Sequence, residues 1–190
     1  MFVVKNFIDK IQILPSELGE KDIMNVLKMR INREVSNRIL SKEGLVVRVH
    51  RIISYENPYV HPGEKGTIHL LVKFALLIFK PFEGEVIQGT IENMTKEDGI
   101  FLSLEFFNDI LISKNHFLKH VVWNGADRFT FKADPEDLND SGVPLAIGQM
   151  ITFRVVSVEL EDINGGKGLY VIGAIDEEGL GIRDWWEEDE

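Results

Sequence analysis

The chain has 190 residues and a mass of 21.7 kDa, enough for one large domain or two small ones. Hydrophobic residues make up 44% of it, its formal net charge is -10, and no run of about 18 apolar residues occurs, so we expect a folded globule without a membrane span. The absence of cysteine excludes disulfides, thiolate nucleophiles and cysteine-ligated zinc, and we expect an intracellular location.

The first eighty residues predict the order β-α-β-β. Alternating apolar positions favour strands over 2–13 and 45–55, and a nearly continuous apolar run over 68–79 predicts a strand that is covered on both faces. Between the first two strands, residues 22–40 predict an amphipathic helix that packs across one face of the sheet. The apolar side of this helix repeats at steps of four, at Ile23, Leu27, Ile31 and Val35.

A domain boundary is predicted at Lys80 and Pro81, which separates domain 1–80 from domain 81–190. Proline gives no amide hydrogen to a ladder and favours extended geometry in the residue before it, so Pro81 suits a seam. The second domain shows five or six short strand-like segments and no convincing long helix. This pattern predicts a small closed barrel, with the oligonucleotide-binding (OB) fold as the first choice and a sandwich as the alternative. The strand-like segments are 85–94, 99–105, 109–113, 121–134, 150–160 and 169–174.

Charge is divided unevenly between the two predicted domains. Residues 1–80 contain 13 Lys and Arg against 8 Asp and Glu, a balance of +5, while residues 81–190 contain 8 against 23, a balance of -15. Affinity for nucleic acid comes largely from cations that neutralise phosphates. A barrel this acidic is not expected to bind RNA strongly over its whole surface, so any RNA contact must be local.

Residues for catalysis or metal binding are not grouped in this sequence. Of the five histidines, only His116 and His120 stand at a metal-type i, i+4 spacing, but their segment reads partly as strand and no acidic ligand lies at zinc-finger or zincin spacing. Neither a Walker A motif nor a GxSxG motif occurs. Carboxylates are plentiful in 134–140 and 184–190, but both groups lie in predicted loop or tail, where acidic residues usually serve solubility. We therefore expect no cofactor and no catalytic activity.

Three stretches carry a resemblance to a known family: MFVVKNFIDKIQILPSELG, IFKPFEGEVIQGTI and GIFLSLEFFNDILIS. Together they resemble the seventh-subunit family of RNA polymerase stalk proteins over nearly the whole chain. The run 106–112 and the tail, where a Gly-Leu-Gly turn at 179–181 precedes Trp185 and Trp186, resemble the RNA polymerase III member more than the RNA polymerase II member. The RNA polymerase II counterpart and a free-standing OB-fold RNA-binding protein stay as alternatives.

The resemblance implies an α+β protein with a truncated RNP-like tip domain and an OB barrel of the ribosomal-protein S-one type with an acidic tail. It also implies a noncatalytic, nuclear stalk subunit that forms a heterodimer with a small helical subunit of HRDC type. The pair would project from the RNA polymerase III core, help to recruit initiation factors and meet nascent RNA weakly.

The resemblance further implies which residues contact partners. Segments 14–19 and 59–66 occupy the family's core-facing loop positions, and the tryptophan pair is expected to pack in a groove of the barrel or of the partner. The expected partner contacts are Leu14, Pro15, Gly19, His61, Pro62, Gly63, Lys65, Trp185 and Trp186.

Relatives of this barrel type carry a Phe and a His that stack on bases. Phe101 keeps the first position, but Leu111 stands where the family has its His. One stacking platform is therefore missing, and stacking contributes about 1–3 kcal/mol per base, so weak RNA binding is expected. Besides Phe101, the candidate RNA contacts are the few cations of the barrel, Lys96, Lys114, Lys132 and Arg154.

Overall fold

The computed structural model describes residues 1–19, 22–40, 42–60, 63, 66–124, 128–136, 141–163 and 166–186. The chain divides into two compact units, Met1–Lys80 and Pro81–Glu190. None of the helices in the described ranges has the length and apolar content that crossing a membrane requires.

The first unit is a four-stranded antiparallel sheet with two helices. Strand β1 pairs with β4 without a register shift, from Phe2 opposite Phe79 to Ile13 opposite Ile68. The order of strands across the sheet is β1-β4-β3-β2, so β1 forms one edge. The elements are β1 (Phe2–Ile13), α1 (Pro15–Leu18), α2 (Ile23–Val35), β2 (Ile39–Leu40), β3 (Gly44–Val60) and β4 (Ile68–Phe79).

The core of this unit lies between α2 and one face of the sheet. Leu27 and Ile31 of α2 are fully buried there, together with sheet residues that include Leu76. On the opposite face, Leu71 and Lys73 are exposed. The expectation that β4 is covered on both faces is therefore wrong at these two positions, although Ala75 and Phe79 farther along the same face are buried.

Helix α2 begins where the sequence predicts but ends earlier. The Asp22 carboxylate caps it by accepting a hydrogen bond from the Met24 amide at 3.4 Å. The helix ends at Val35, and Asn37 follows with a φ of +60°. The Asn37 amide already donates to the Val46 carbonyl at 2.8 Å. Residues 36–40 therefore turn toward β3 instead of continuing the helix.

The second unit is built on a closed five-stranded barrel with the order β11-β12-β7-β6-β5, in which β5 pairs with β11. The pairing of β12 with β7 is parallel, and the others are antiparallel. The closed barrel excludes the sandwich alternative, and with the helices of the first unit it makes the protein α+β. The barrel strands are β5 (Val86–Thr95), β6 (Gly99–Ser103), β7 (Ile110–Phe117), β11 (Met150–Ile163) and β12 (Gly166–Ile175).

The chain between β7 and β11 forms a small separate sheet of three strands, in the order β10-β9-β8. The prediction of one strand over 121–134 is wrong, because Asn124 turns the chain. Its amide donates to the Arg128 carbonyl at 3.1 Å, and its side chain donates to Thr130 Oγ1 at 2.9 Å. The strands are β8 (Val121–Trp123), β9 (Phe129–Phe131) and β10 (Val143–Pro144), and a 3₁₀ turn, Arg183–Trp185, follows the barrel.

Candidate functional site

A cleft of about 380 Å³ lies on the outer face of the barrel across four adjacent strands, β11, β12, β7 and β6. Alternation along β6 buries Ile100 and Leu102 in the interior and directs Phe101 outward. Phe101 lies opposite Leu111 in the register of β6 and β7, and Leu111 lies opposite Ile172 in that of β7 and β12. These three half-buried side chains lie next to one another along the cleft, and together they are called the apolar row.

The rim of the cleft is negatively charged. Asp109 and Glu159 line it with exposed side chains, and Tyr170, which is paired with Glu159 in the strand register, adds an aromatic ring. The Asp109 carbonyl accepts a hydrogen bond from the Val171 amide at 3.0 Å, which fixes the start of β7 against β12. Of the described residues that line the cleft, none is a lysine or an arginine.

The predicted RNA-contacting cations are not brought together at this cleft. Lys96 is exposed in the turn between β5 and β6, and Lys114 is exposed on β7. Lys132 follows β9, where its carbonyl lies 3.0 Å from His120 Nδ1. Phe101 is thus the one predicted RNA contact among the described lining residues.

Arg154 is engaged with two acidic side chains. Its Nη2 donates to both carboxylate oxygens of Asp176, at 2.8 and 3.0 Å, and lies 3.3 Å from Glu177 Oε1. A cation that is already paired twice attracts a phosphate less than a free one does. Arg154 is therefore poorly suited to lead an RNA contact.

Two of the predicted docking segments meet in the first unit. Leu14 is 48% exposed just before α1, its amide donates to Glu17 Oε2 at 2.8 Å, and Pro15 begins the helix. A Cβ on Gly66 would lie 3.2 Å from Pro15 Cγ, so the two loops are in contact. Gly19 and Gly63 both have positive φ with open space around them, while His61, Pro62 and Lys65 lie outside the described residues.

A groove of about 680 Å³ lies between α1 and α2. Met29 is 59% exposed there beside Arg30 and Arg33. Arg30 Nε lies 3.0 Å from a Glu34 carboxylate oxygen. The groove is therefore lined by an exposed apolar side chain next to basic side chains. The sequence did not predict it, because α1 has only four residues and its start reads as part of a polar lead-in.

The tryptophan pair packs on its own unit. The Trp185 ring is 8% exposed and stacks on Phe131 with ring centres 4.7 Å apart and planes 17° apart. Trp186 is 38% exposed, and its Nε1 donates to the Leu180 carbonyl at 2.8 Å. Both tryptophans were predicted to contact a partner. Trp186 is exposed enough to do so, whereas Trp185 is almost fully buried within its own unit.

One carboxyl group has a displaced pKa. The Lys5 ammonium donates a hydrogen bond to Glu43, which lowers the pKa of that carboxyl below its usual 4.5, while partial burial acts in the opposite direction. This pair links β1 to the start of β3. Among the residues that the structure describes, no group of three or more His, Asp or Glu side chains could hold a metal ion.

The sequence reading missed Asp109, Glu159, Tyr170 and Ile172 as members of the cleft. The alternation of β12, with Leu169 and Val171 buried, could have shown that its intervening residues point outward. It could not show which strand they face, because the parallel pairing of β12 with β7 joins segments that are far apart in the chain.

Comparison with known proteins gives a consistent result. The model of a family described as RNA polymerase III subunit Rpc25 matches residues 85–168. The chain is 26% identical to DNA-directed RNA polymerase III subunit RPC8 of Bos taurus, over 98% of each chain. It is 29% identical to subunit rpc8 of Schizosaccharomyces pombe, over 98% of this chain and 100% of the relative. It is 25% identical to DNA-directed RNA polymerase II subunit RPB7 of Saccharomyces cerevisiae, over 95% of this chain and 99% of the relative.

Proposed function

Since this chain belongs to the seventh-subunit family of RNA polymerase stalk proteins and resembles its RNA polymerase III member, we propose that it is a noncatalytic stalk subunit of RNA polymerase III. The similarity along nearly the full length carries this proposal. Relatives named as RNA polymerase III subunits align with 98% of the chain, so both compact units are included. The family model for the RNA polymerase III subunit adds a match within the barrel unit.

The first unit would act as the tip that docks on the polymerase core. Two features support this role: the contact between the loops at Pro15 and Gly66, and the neighbouring groove with its exposed Met29. The unit has a formal charge of +5, which suits an acidic surface of the core. Docking would then bury Met29 and bring Arg33 close to carboxylates.

A heterodimer with a small helical subunit of HRDC type is the second part of the proposal. Strand β1 exposes Phe2, Val4 and Ile8 on one face, by 42%, 51% and 63% respectively. Alternate apolar side chains along an edge strand suit burial by another chain. Trp186 supplies a further exposed aromatic ring on the other unit. Initiation factors would meet the acidic barrel, which favours basic partners.

Contact with nascent RNA would be weak and confined to a few points. Phe101 offers one ring for stacking, and Leu111 offers none. The cations Lys96, Lys114 and Lys132 lie outside the lining of the cleft, and Arg154 is paired with acidic residues. Such a surface can guide a transcript but not hold it tightly. The chain would be located in the nucleus, where eukaryotic RNA polymerase III acts.

A chromatin occupancy map of the tagged chain in its native cells tests the proposal. We expect peaks over genes for precursor tRNA and other short RNAs, which coincide with peaks of the largest RNA polymerase III subunit. Occupancy over protein-coding genes without these peaks would contradict the proposal. It would instead favour the RNA polymerase II counterpart, a second candidate that the similarity to RPB7 supports.

A free-standing RNA-binding protein is a candidate of another class, which the closed barrel and Phe101 support. It requires tight RNA binding by the purified chain alone, with affinity that falls steeply as salt increases. The acidic rim of the cleft argues against such binding. Chromatin peaks that disappear on ribonuclease treatment would favour this candidate over the stalk subunit.

A further inference from the structure

The cleft on the barrel has a chemistry opposite to that of a nucleic-acid site. Its described lining carries two carboxylates, Asp109 and Glu159, and no cation. A phosphate brought between these side chains would meet like charges, and without a lysine or an arginine the lining would not displace the counterions condensed on the nucleic acid. What the cleft offers instead is negative charge beside a hydrophobic floor.

The floor is suited to side chains of a protein. Phe101, Leu111 and Ile172 present the apolar row over three neighbouring strands, and Tyr170 adds a ring at its side. A volume of about 380 Å³ is at the small end of ligand pockets and accommodates a few side chains. Covering half-buried apolar side chains removes more of their surface from water, which favours an apolar occupant.

We propose that this cleft binds a short extended segment of a partner protein in which an apolar side chain stands next to a lysine or an arginine. The apolar side chain contacts the apolar row, and the cation lies between Asp109 and Glu159. Tyr170 offers its ring face to the same cation. This inference does not depend on the proposed function, because it rests on the lining of the cleft alone.

A display selection tests the proposal with the purified full-length chain. Random peptides of about nine residues are selected on the chain and counter-selected on Leu111→Glu. We expect the enriched peptides to pair an apolar residue with Lys or Arg and to shift the amide resonances of Phe101, Leu111 and Ile172. Peptides that enrich without a cation, or sequences that bind equally to Leu111→Glu, would overturn the proposal.

A charge-neutralising pair gives a second, milder test. Asp109→Asn with Glu159→Gln should weaken the enriched peptides about tenfold, since each exposed ion pair contributes modestly. The matched control is Glu92→Gln with Glu178→Gln, which removes the same charge from exposed positions outside the described lining and should change affinity less than twofold. If both double variants weakened peptide binding equally, the loss would come from the lower net charge of the chain, and the proposed contact of the cation with Asp109 and Glu159 would be wrong.

RNA is the alternative occupant, and oligouridine of about nine nucleotides is the probe for it. We expect oligouridine to compete with the enriched peptides only at much higher concentration, and Asp109→Asn with Glu159→Gln to strengthen its binding. Oligouridine that displaces the peptides at equal concentration and shifts the same cleft resonances would overturn the proposal in favour of an RNA site.

Discussion

Replacing Gly181 with alanine should detach the tail from the barrel unit. Gly181 has a φ of +100°, and a Cβ at this position would lie 2.1 Å from the ring of Trp185. The Gly181 backbone is fixed on both sides, because its amide and its carbonyl both hydrogen bond to Thr152, at 2.7 and 2.8 Å. The backbone therefore cannot move away easily, and the Trp185 ring must leave its stack on Phe131.

The expected loss of stability has two parts. An L-residue with positive φ costs about 1–3 kcal/mol. Complete removal of a large aromatic ring from a core costs about 3–5 kcal/mol, and displacement of the Trp185 ring recovers only part of that. We expect Gly181→Ala to lower the free energy of unfolding of the barrel unit by about 4 kcal/mol in total.

Gly179→Ala is the matched control. Gly179 also has a positive φ, +84°, but nothing lies within 4 Å of a Cβ there. Gly179→Ala should therefore lose only the stability that the positive φ costs, and the free energies of unfolding of the two variants should differ by about 2 kcal/mol. Urea unfolding followed by far-UV circular dichroism gives both values, and ¹⁹F NMR of fluorotryptophan-labelled chain reports the environment of Trp185.

Equal destabilisation by the two variants would refute this reasoning. An unmoved ¹⁹F resonance of Trp185 in Gly181→Ala would do so as well, because it would mean that the ring does not rest against Gly181. The resonance is assigned by its disappearance in Trp185→Phe, since the chain contains three tryptophans.

Leu111→His restores a stacking platform, so affinity for oligouridine should rise about fivefold or more, as measured by fluorescence anisotropy; an unchanged affinity would contradict the assignment of the stacking face. Lys5→Met should raise the pKa of Glu43 toward 4.5 in a carboxyl NMR titration. Because the pKa of Glu43 is lower in the folded state, the charged carboxylate stabilises the fold. Wild type should therefore be more stable than Glu43→Gln above pH 4.5, and this difference in stability should shrink as the pH falls through the folded pKa. A difference that stays constant with pH would show that the Glu43 carboxylate does not stabilise the fold. Met29→Glu should reduce recovery of the polymerase core about tenfold, whereas Met24→Glu, outside the groove, should not.

The sequence predicted those elements whose limits are local. Strands β1 and β4 have the predicted bounds, because apolar periodicity defines their length and Pro15 and Pro81 follow shortly after their ends. Helix α2 was predicted too long, because the positive φ of Asn37 and its hydrogen bond to β3 are tertiary features. The apolar pattern of residues 36–40 continues past the point at which the chain turns.

The candidate site could be predicted only in part. Phe101 and Leu111 were found through the resemblance, and their register across β6 and β7 brings them together. Ile172 and Tyr170 join them through the parallel pairing of β12 with β7, which barrel closure produces and a one-dimensional pattern does not specify. Glu159 lies opposite Tyr170 in the antiparallel pair of β11 and β12, so it reaches Asp109 at the cleft only because β12 pairs with β7. The acidic character of the cleft therefore appears only in three dimensions.

Affinity purification of the tagged full-length chain from its native cells, with quantitative mass spectrometry, tests the central claim most directly. The account predicts that RNA polymerase III core subunits are recovered in amounts comparable to the chain, together with one small helical protein, and that recovery survives ribonuclease treatment. Recovery of RNA polymerase II subunits in their place, or of RNA without any polymerase subunit, would contradict it.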